Sequence, residues 1–282
     1  MKQETEVQKR TPDQVRQHYL IEKELAGRLK ASRPEERRHL YNLLYDELYQ
    51  RLPDHPRWTV KRDPEARKRA VQEELGVLKR FLTPEMVFLE IGPGDCQLSL
   101  EVARCTRHVY AVDVSSEALS LADRLGNLET VLTDGISIPV PSSSIDLAYS
   151  NQLIEHLHPD DTRNQMASVL SVLKPGGMYI CRTPNRLNGP HDVSRGFDEV
   201  ATGFHLKEYS YRELTQLFRD AGFDKIRVLF TPRSFCFSLP VFSVKLIESA
   251  LAALPACMIT KIGSWPLIRT VLRIQMLGVK GG

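Results

Sequence analysis

From residue 87 onward the chain alternates short apolar runs with amphipathic stretches, and few architectures accept that pattern. The runs at 87–91, 108–112, 130–133, 145–149, 178–181 and 225–230 are aliphatic, aromatic and short, so they read as strands. Helical periodicity fills the gaps at 97–104, 116–124, 161–173 and 211–221. Parallel strands need a crossover to bring the chain back to the same end, and a helix supplies it. Repeating that unit predicts an α/β fold whose mostly parallel sheet is covered on both faces, with a closing strand at about 269–279.

The first 82 residues lack this texture. Val15, Tyr19, Ile21, Leu25 and Leu29 recur at helical spacing and predict a helix over 11–30. A second helix, over 34–50, carries Leu40, Leu44 and Leu48 beside Tyr41, Tyr45 and Tyr49. Both rows step by four and form one broad stripe, whose expected role is packing. A Pro-broken loop at 51–58 leads to a third, charge-rich helix at 63–81. The expected division is a helical N-terminal extension at 1–82 and a second unit at 83–282, with an apolar helical insertion at about 235–268.

A net charge of +3 hides an asymmetry: +5 over residues 1–82, −9 over 83–224 and +7 over 225–282. Basic ends suit either an anionic surface or the acidic middle of the same chain, and the absence of any run of five like charges favours the second use. Five cysteines, Cys96, Cys105, Cys181, Cys236 and Cys257, form no CxxC pair, so neither a zinc knuckle nor a disulfide framework is expected, and the expected compartment is a reducing cytoplasm. Residues 1–10 are polar, and no uninterrupted apolar stretch approaches the ~18 residues of a spanning helix, so neither a standard secretion signal nor membrane integration is expected.

The densest chemical information lies in Phe88-Leu-Glu-Ile-Gly-Pro-Gly-Asp-Cys96, a strand that ends in two close glycines just before a helix. Gly92 and Gly94 permit a tight turn with backbone close to a ligand, and the helix offers its N-terminus to a negative group. A dinucleotide fingerprint would place a third glycine at Gln97, which disfavours a nicotinamide or flavin cofactor. The next strand runs into Asp113 and Val114, and a carboxylate at the end of a second strand reaches ribose hydroxyls in nucleoside-binding sheets. Asp134 and Gly135 follow the third strand, while Ser150 and Asn151 end the fourth. All these positions lie at the carboxyl ends of parallel strands, where open α/β sheets bind ligands.

These ordered motifs resemble the class I S-adenosylmethionine-dependent methyltransferases, in particular the type-11 group that includes the ubiquinone-biosynthesis O-methyltransferases. The resemblance covers residues 87–230. It rests on Glu90-Ile-Gly-Pro-Gly-Asp-Cys96, with Cys96 at the usual third glycine, on Asp113 as the acidic ribose ligand, and on Asp134 with Gly135 at the adenine-flanking position. Glu155-His156-Leu157 after strand four and Leu173-Lys-Pro-Gly-Gly177 before strand five also match. The resemblance implies a Rossmann-like, seven-stranded, mostly parallel sheet with its last strand antiparallel. It also implies S-adenosyl-L-methionine as cofactor, lying over Gly92, Pro93 and Gly94, with Glu90 supporting the glycine loop and the methionine amino group.

Methyl transfer from a sulfonium needs an aligned nucleophile, deprotonated if it is a hydroxyl. His156, one turn past strand four, is the first candidate base. The long polar connection after strand five adds His191, His205 and Tyr209. His191 beside Asp192, and His205 three residues before Glu208, admit a divalent ion, yet capping and solvent contacts are the commoner use of such groups, and no metal ligand set is assigned.

Negative evidence shapes the choice of acceptor. The residues after strand four are Ser150-Asn151-Gln152-Leu153, without the Pro-Pro-aromatic motif of enzymes that methylate nucleic-acid amino groups, and no Pro-Cys nucleophile is present. No basic-aromatic repeat advertises RNA. The expected acceptor is a small molecule, not DNA and not RNA, methylated on a hydroxyl of a quinone-like, lipid or sugar-containing compound. The alternatives are an RNA or protein methyltransferase and a catalytically idle cofactor-binding subunit. Residues 238–274 suit a greasy substrate lid or a peripheral membrane contact, against burial within the chain or in a homodimer.

Overall fold

The computed structural model describes residues 10–53, 63–115, 125–231, 236–263 and 265–282. Three helices come first, α1 (Pro12–Ala31), α2 (Pro34–Arg51) and α3 (Pro64–Leu78), followed by β1 (Val87–Ile91), α4 (Gln97–Ala103), β2 (His108–Asp113), β3 (Leu128–Leu132) and β4 (Ile145–Asn151). Then come α5 (Pro159–Val172), β5 (Leu173–Pro184), α6 (Tyr211–Ala221), β6 (Phe223–Phe230), β7 (Phe237–Pro240), α7 (Val241–Ala252), α8 (Ala256–Ile262), α9 (Pro266–Val271) and β8 (Arg273–Lys280). The helix expected over 116–124 and parts of the loop at 51–58 lie outside the described residues.

One sheet holds the strands in the order β3-β2-β1-β4-β5-β8-β6-β7. The pairs from β3 to β5 are parallel, and β8 enters antiparallel between β5 and β6. The sheet has one strand more than expected. Residues Phe237–Pro240, within the stretch read as a helical insertion, pair antiparallel with β6, because the open β6 edge offers a ladder that local periodicity cannot reveal.

Strand β1 shows why the sheet is two-sided. Val87, Leu89 and Ile91 pack with Met166 and Val169 of α5 and Phe218 of α6, whereas Phe88 packs with Leu75 and Leu78 of α3 and Leu98 and Val102 of α4. That alternation is the period of two, and with helices on both faces every β1 residue is buried. Each such aliphatic side chain contributes about 1.5–3 kcal/mol by leaving water.

Crossovers from β1 lead outward to β2 and β3, after which β4 joins the other side of β1. This reversal opens a crevice at the carboxyl ends of β1 and β4. Helices α1 and α2 roof it: Leu25, Leu29, Leu44 and Leu48 pack on Ile136, Leu157, Phe204 and Leu206, which all lie in loops that follow strands. Helix α1 begins with a reciprocal Thr11–Gln14 capping box and Pro12 in its first turn. The roof is pinned by a buried pair. The Arg37 guanidinium donates to both oxygens of Asp161 at 2.7 and 2.8 Å, and Tyr41 donates to the same carboxylate at 2.8 Å while accepting from the His158 N–H.

Helix α7 turns a different face inward from the one its apolar residues suggest. Val241, Val244 and Leu251 are buried, but Phe242, Leu246 and Ile247 are exposed. Glu248 takes the inward position because its carboxylate accepts from Asn185 Nδ2 at 2.7 Å and from the Tyr211 N–H at 3.0 Å. Among the described residues no helix is long and apolar enough to cross a membrane.

Candidate active site

The loop between β1 and α4 alternates in and out of left-handed conformation, with φ of +70° at Gly92, +59° at Gly94 and +57° at Cys96. Glycine adopts this freely, whereas at Cys96 the same conformation costs about 1–2 kcal/mol. Burial and the nearby Glu90 and Asp113 carboxylates push the Cys96 thiol up to about 12, so it stays protonated. A Cβ on Gly92 would approach Leu153 Cδ1 to 3.1 Å. Asp113 ties this loop to the end of β2: its Oδ2 accepts from the Gly94 N–H at 3.3 Å and its Oδ1 from the Ser115 N–H at 2.9 Å.

A cavity of about 650 Å³ fills the crevice. Gly92, Gly94, Asp113, Val114, Gly135 and Asn151 line it on the sheet side, and His156 and His205 line it as well. Tyr41, Tyr45 and Tyr49 of α2 wall the opposite side, so the stripe expected to pack also faces the cavity. Its spacing defined the stripe, but no local signal says which element it faces.

Four of the expected cofactor residues do not line this cavity. Ser150 is buried, its hydroxyl 2.7 Å from the Tyr179 hydroxyl. Pro93 shapes the loop without facing the cavity. Asp134 caps the following turn through the Ile136 and Ser137 N–H groups and pairs with Arg38 at 3.4 Å. These donors outweigh burial and hold its carboxyl below the ordinary range. Glu90 lies beneath the loop, buried, accepting from the Ser99 hydroxyl at 2.5 Å.

Burial pushes the Glu90 carboxyl from its ordinary 4.5 up to about 8, against the Ser99 hydrogen bond and with the help of Glu74, Asp95 and Asp113. The unfolded chain therefore gives up this proton near pH 4.5 and the folded chain near pH 8. The stability that protonated Glu90 supports is complete below 4.5 and is lost as pH rises toward 8. Glu155, raised to about 7 by burial, acts with the same sign. Glu90→Gln should flatten the decline of the ligand-free melting temperature between pH 5 and 8 (roughly 2–4 kcal/mol for Glu90), and an identical slope in the variant would refute this assignment.

At the far end of the cavity the two histidines meet a buried acid. One ligand-type atom from each of Glu155, His156 and His205 lies within 4.8 Å of the others, and the two imidazoles stand edge to face at 4.9 Å. Glu155 Oε2 accepts from the Thr183 hydroxyl at 2.9 Å, whereas its buried Oε1 has no hydrogen-bond partner among the described residues. His156 Nδ1 lies 3.0 Å from the Phe204 carbonyl and His205 Nδ1 lies 2.8 Å from Glu208 Oε1. Both acceptors require a ring N–H there, so whenever either ring is neutral its Nε2 is the acceptor nitrogen. Burial opposes the charge on His205, but Glu208 and Glu155 outweigh it and raise its pKa. Two imidazoles and a carboxylate are the donor set of a divalent transition ion. Of the two pairings noted in the sequence, His205 meets Glu208, whose Oε1 also accepts from the His191 N–H, whereas Asp192 caps a turn through Ser194 instead of meeting the His191 ring.

The remaining candidates sit apart. Tyr209 lines neither this cavity nor the second one, at His191; its hydroxyl meets Thr162 at 3.2 Å, and burial pushes its pKa up to about 12. His191 lines a second cavity of about 620 Å³, which shares Asn151, Gln152 and His205 with the first. Sequence reasoning missed Glu155 as part of the site, and it missed Gln165, whose amide reaches the Gly135 carbonyl at 2.8 Å.

Comparison with known proteins places these features in context. Residues 89–181 match the family model described as a methyltransferase domain. A probable S-adenosylmethionine-dependent methyltransferase of Mycolicibacterium smegmatis is 30% identical over 137 residues, which is 48% of this chain and 51% of that protein. A protein of the same description from Mycobacterium tuberculosis is 32% identical over 136 residues, 48% of this chain and 47% of its own length. The chain thus spans about half the length of the curated relatives it matches. Among solved structures, Haemonchus contortus phosphoethanolamine N-methyltransferase 2 in complex with S-adenosyl-L-methionine shares the fold, with a TM-score of 0.52 at 20% identity over 75% of this chain and 53% of that one.

Proposed function

We propose, for a chain that carries a class I S-adenosylmethionine-dependent methyltransferase domain, that the roofed crevice binds S-adenosylmethionine and that a small-molecule hydroxyl is methylated beside His156. The observation that carries this reading is the 650 Å³ cavity at the β1/β4 crevice, with the left-handed glycine loop and the Asp113 carboxylate on its lining.

The residues present fit that cofactor. A carboxylate offers about four acceptor positions, so Asp113 can hold the loop N–H groups and a ribose diol together. Glycines at 92 and 135 keep the wall open, since a Cβ on Gly135 would reach Tyr41 Cδ2 at 3.2 Å. Glu90 lies beneath the loop, bonded to Ser99 and outside the cavity lining, and supports the glycine turn from below.

When bound, the cofactor supplies an electrophilic methyl group. The chain aligns the acceptor oxygen and takes its proton. His156 Nε2 is the proposed base, because the Phe204 carbonyl fixes the ring with that nitrogen as acceptor. His205, whose pKa is raised, is more readily cationic and orients the acceptor instead. Tyr41, Tyr45 and Tyr49 exclude water from the donor side.

Titration calorimetry with S-adenosylhomocysteine and S-adenosylmethionine, with NAD as control, tests the reading. Binding of the first two alone is expected, followed by transfer of labelled methyl into a small-molecule or lipid fraction. Failure of folded, ligand-free protein to bind either would sink it, and binding without turnover in any fraction would favour the idle-subunit reading.

A further inference from the structure

The second cavity carries a charge that methyl transfer alone does not explain. Four arginines line it, Arg182, Arg195, Arg269 and Arg273, and none of its described lining residues is acidic. Its position follows from the ladder: Asn151 pairs with Arg182 across β4 and β5, and Arg182 and Pro184 pair with Gln275 and Arg273 of β8. Positions 182, 184, 273 and 275 therefore share one sheet face, which brings Arg182 and Arg273 to the same side. Arg269, one turn earlier in α9, completes the rim.

Compensation is incomplete. Arg182 donates to the Tyr149 hydroxyl at 3.2 Å and feels Glu74 and Glu73 of α3. Among the described residues, Arg195, Arg269 and Arg273 form no ion pair. Burial and the charges of Arg269 and Arg182 hold the Arg273 guanidinium below its usual range, with Glu73 as the opposing charge. Guanidinium forks match tetrahedral and planar oxyanions, and like charges gathered in one concavity are relieved by a bound anion.

We infer that the second cavity is the acceptor site and that the acceptor is a small molecule bearing a phosphate group, held by the arginine rim. This deepens the methyl-transfer reading and rests on it. Asn151, Gln152 and His205 border both cavities, so an acceptor anchored at the rim extends its hydroxyl toward the donor side past these three residues. A volume of about 620 Å³ suits a phosphorylated sugar or the headgroup end of a phospholipid.

Calorimetric titration of the full chain with inorganic phosphate tests the site. The intact chain should bind it, and an Arg269→Gln/Arg273→Gln double variant should bind at least about ten-fold more weakly. The same variant should keep its S-adenosylhomocysteine affinity, since neither arginine lines the first cavity. Vesicles of phosphatidylcholine with and without phosphatidic acid separate the sources: arginine-dependent binding only with phosphatidic acid supports a lipid headgroup, and competition by soluble phosphate monoesters alone supports a free metabolite. Equal phosphate affinity in the variant, or none in the intact chain, overturns the assignment. RNA that displaces phosphate at lower concentration than any small phosphate overturns the small-molecule acceptor. Loss of S-adenosylhomocysteine binding in the intact chain, with phosphate binding preserved, removes the methyl-transfer reading and leaves the anion site standing.

Discussion

Asp113→Ala should lower the affinity for S-adenosylhomocysteine by roughly 10- to 150-fold. Hydrogen bonds to a charged acceptor contribute about 1.5–3 kcal/mol, and each 1.4 kcal/mol is a factor of ten. The side chain acts twice. It is the acid at the end of β2 on the cavity wall, and it also holds the Gly94 and Ser115 N–H groups, so its removal frees the loop as well. Asp113→Asn separates the two roles: the amide keeps one acceptor oxygen and most of the shape but loses the charge, and it should fall between wild type and Ala. Calorimetry on protein of unchanged melting temperature is the measurement. An affinity unaltered by Ala would place the ribose elsewhere in the crevice.

Arg37→Ala should be the most destabilising single change in the roof. It leaves the Asp161 carboxylate, about 1% exposed as a residue, with the Tyr41 hydroxyl in place of two charged donors. Removing one partner of a buried pair costs about 3–5 kcal/mol, because the other charge stays desolvated. At about 2–4 °C per kcal/mol for a chain of this size, the melting temperature should drop by roughly 6–20 °C. Replacing both partners, Arg37→Met with Asp161→Leu, removes the stranded charge and should recover much of the loss. Hydrogen exchange along α2 locates the effect, with faster exchange expected there than in β1. A double variant no more stable than the single one would show that the pair does not anchor the roof.

The parallel half of the sheet was legible because its cause is local. Runs such as 87–91 and 145–149 are nearly continuous in apolar residues, and only burial on both faces explains that. The glycine loop was legible for a related reason: Gly92 and Gly94 mark positive φ wherever the chain goes next. Strand β7 and the inward turn of Glu248 were not legible. Each depends on partners distant in sequence, the β6 edge for one and Asn185 and Tyr211 for the other. The arginine rim has no local signature either, since its members come from β5, the loop after it, α9 and β8.

The amino-acid sequence by itself determined the strand–helix alternation, the left-handed loop and the acid nineteen residues beyond Gly94, because periodicity, conformational freedom and charge are properties of residues and their near neighbours. Only the tertiary structure decided that α2 faces the crevice, that Glu155 joins His156 and His205, and that four arginines surround one cavity. Those arrangements depend on which surfaces the chain buries against one another. A spacing of four defines a face of a helix but not the surface that face will meet.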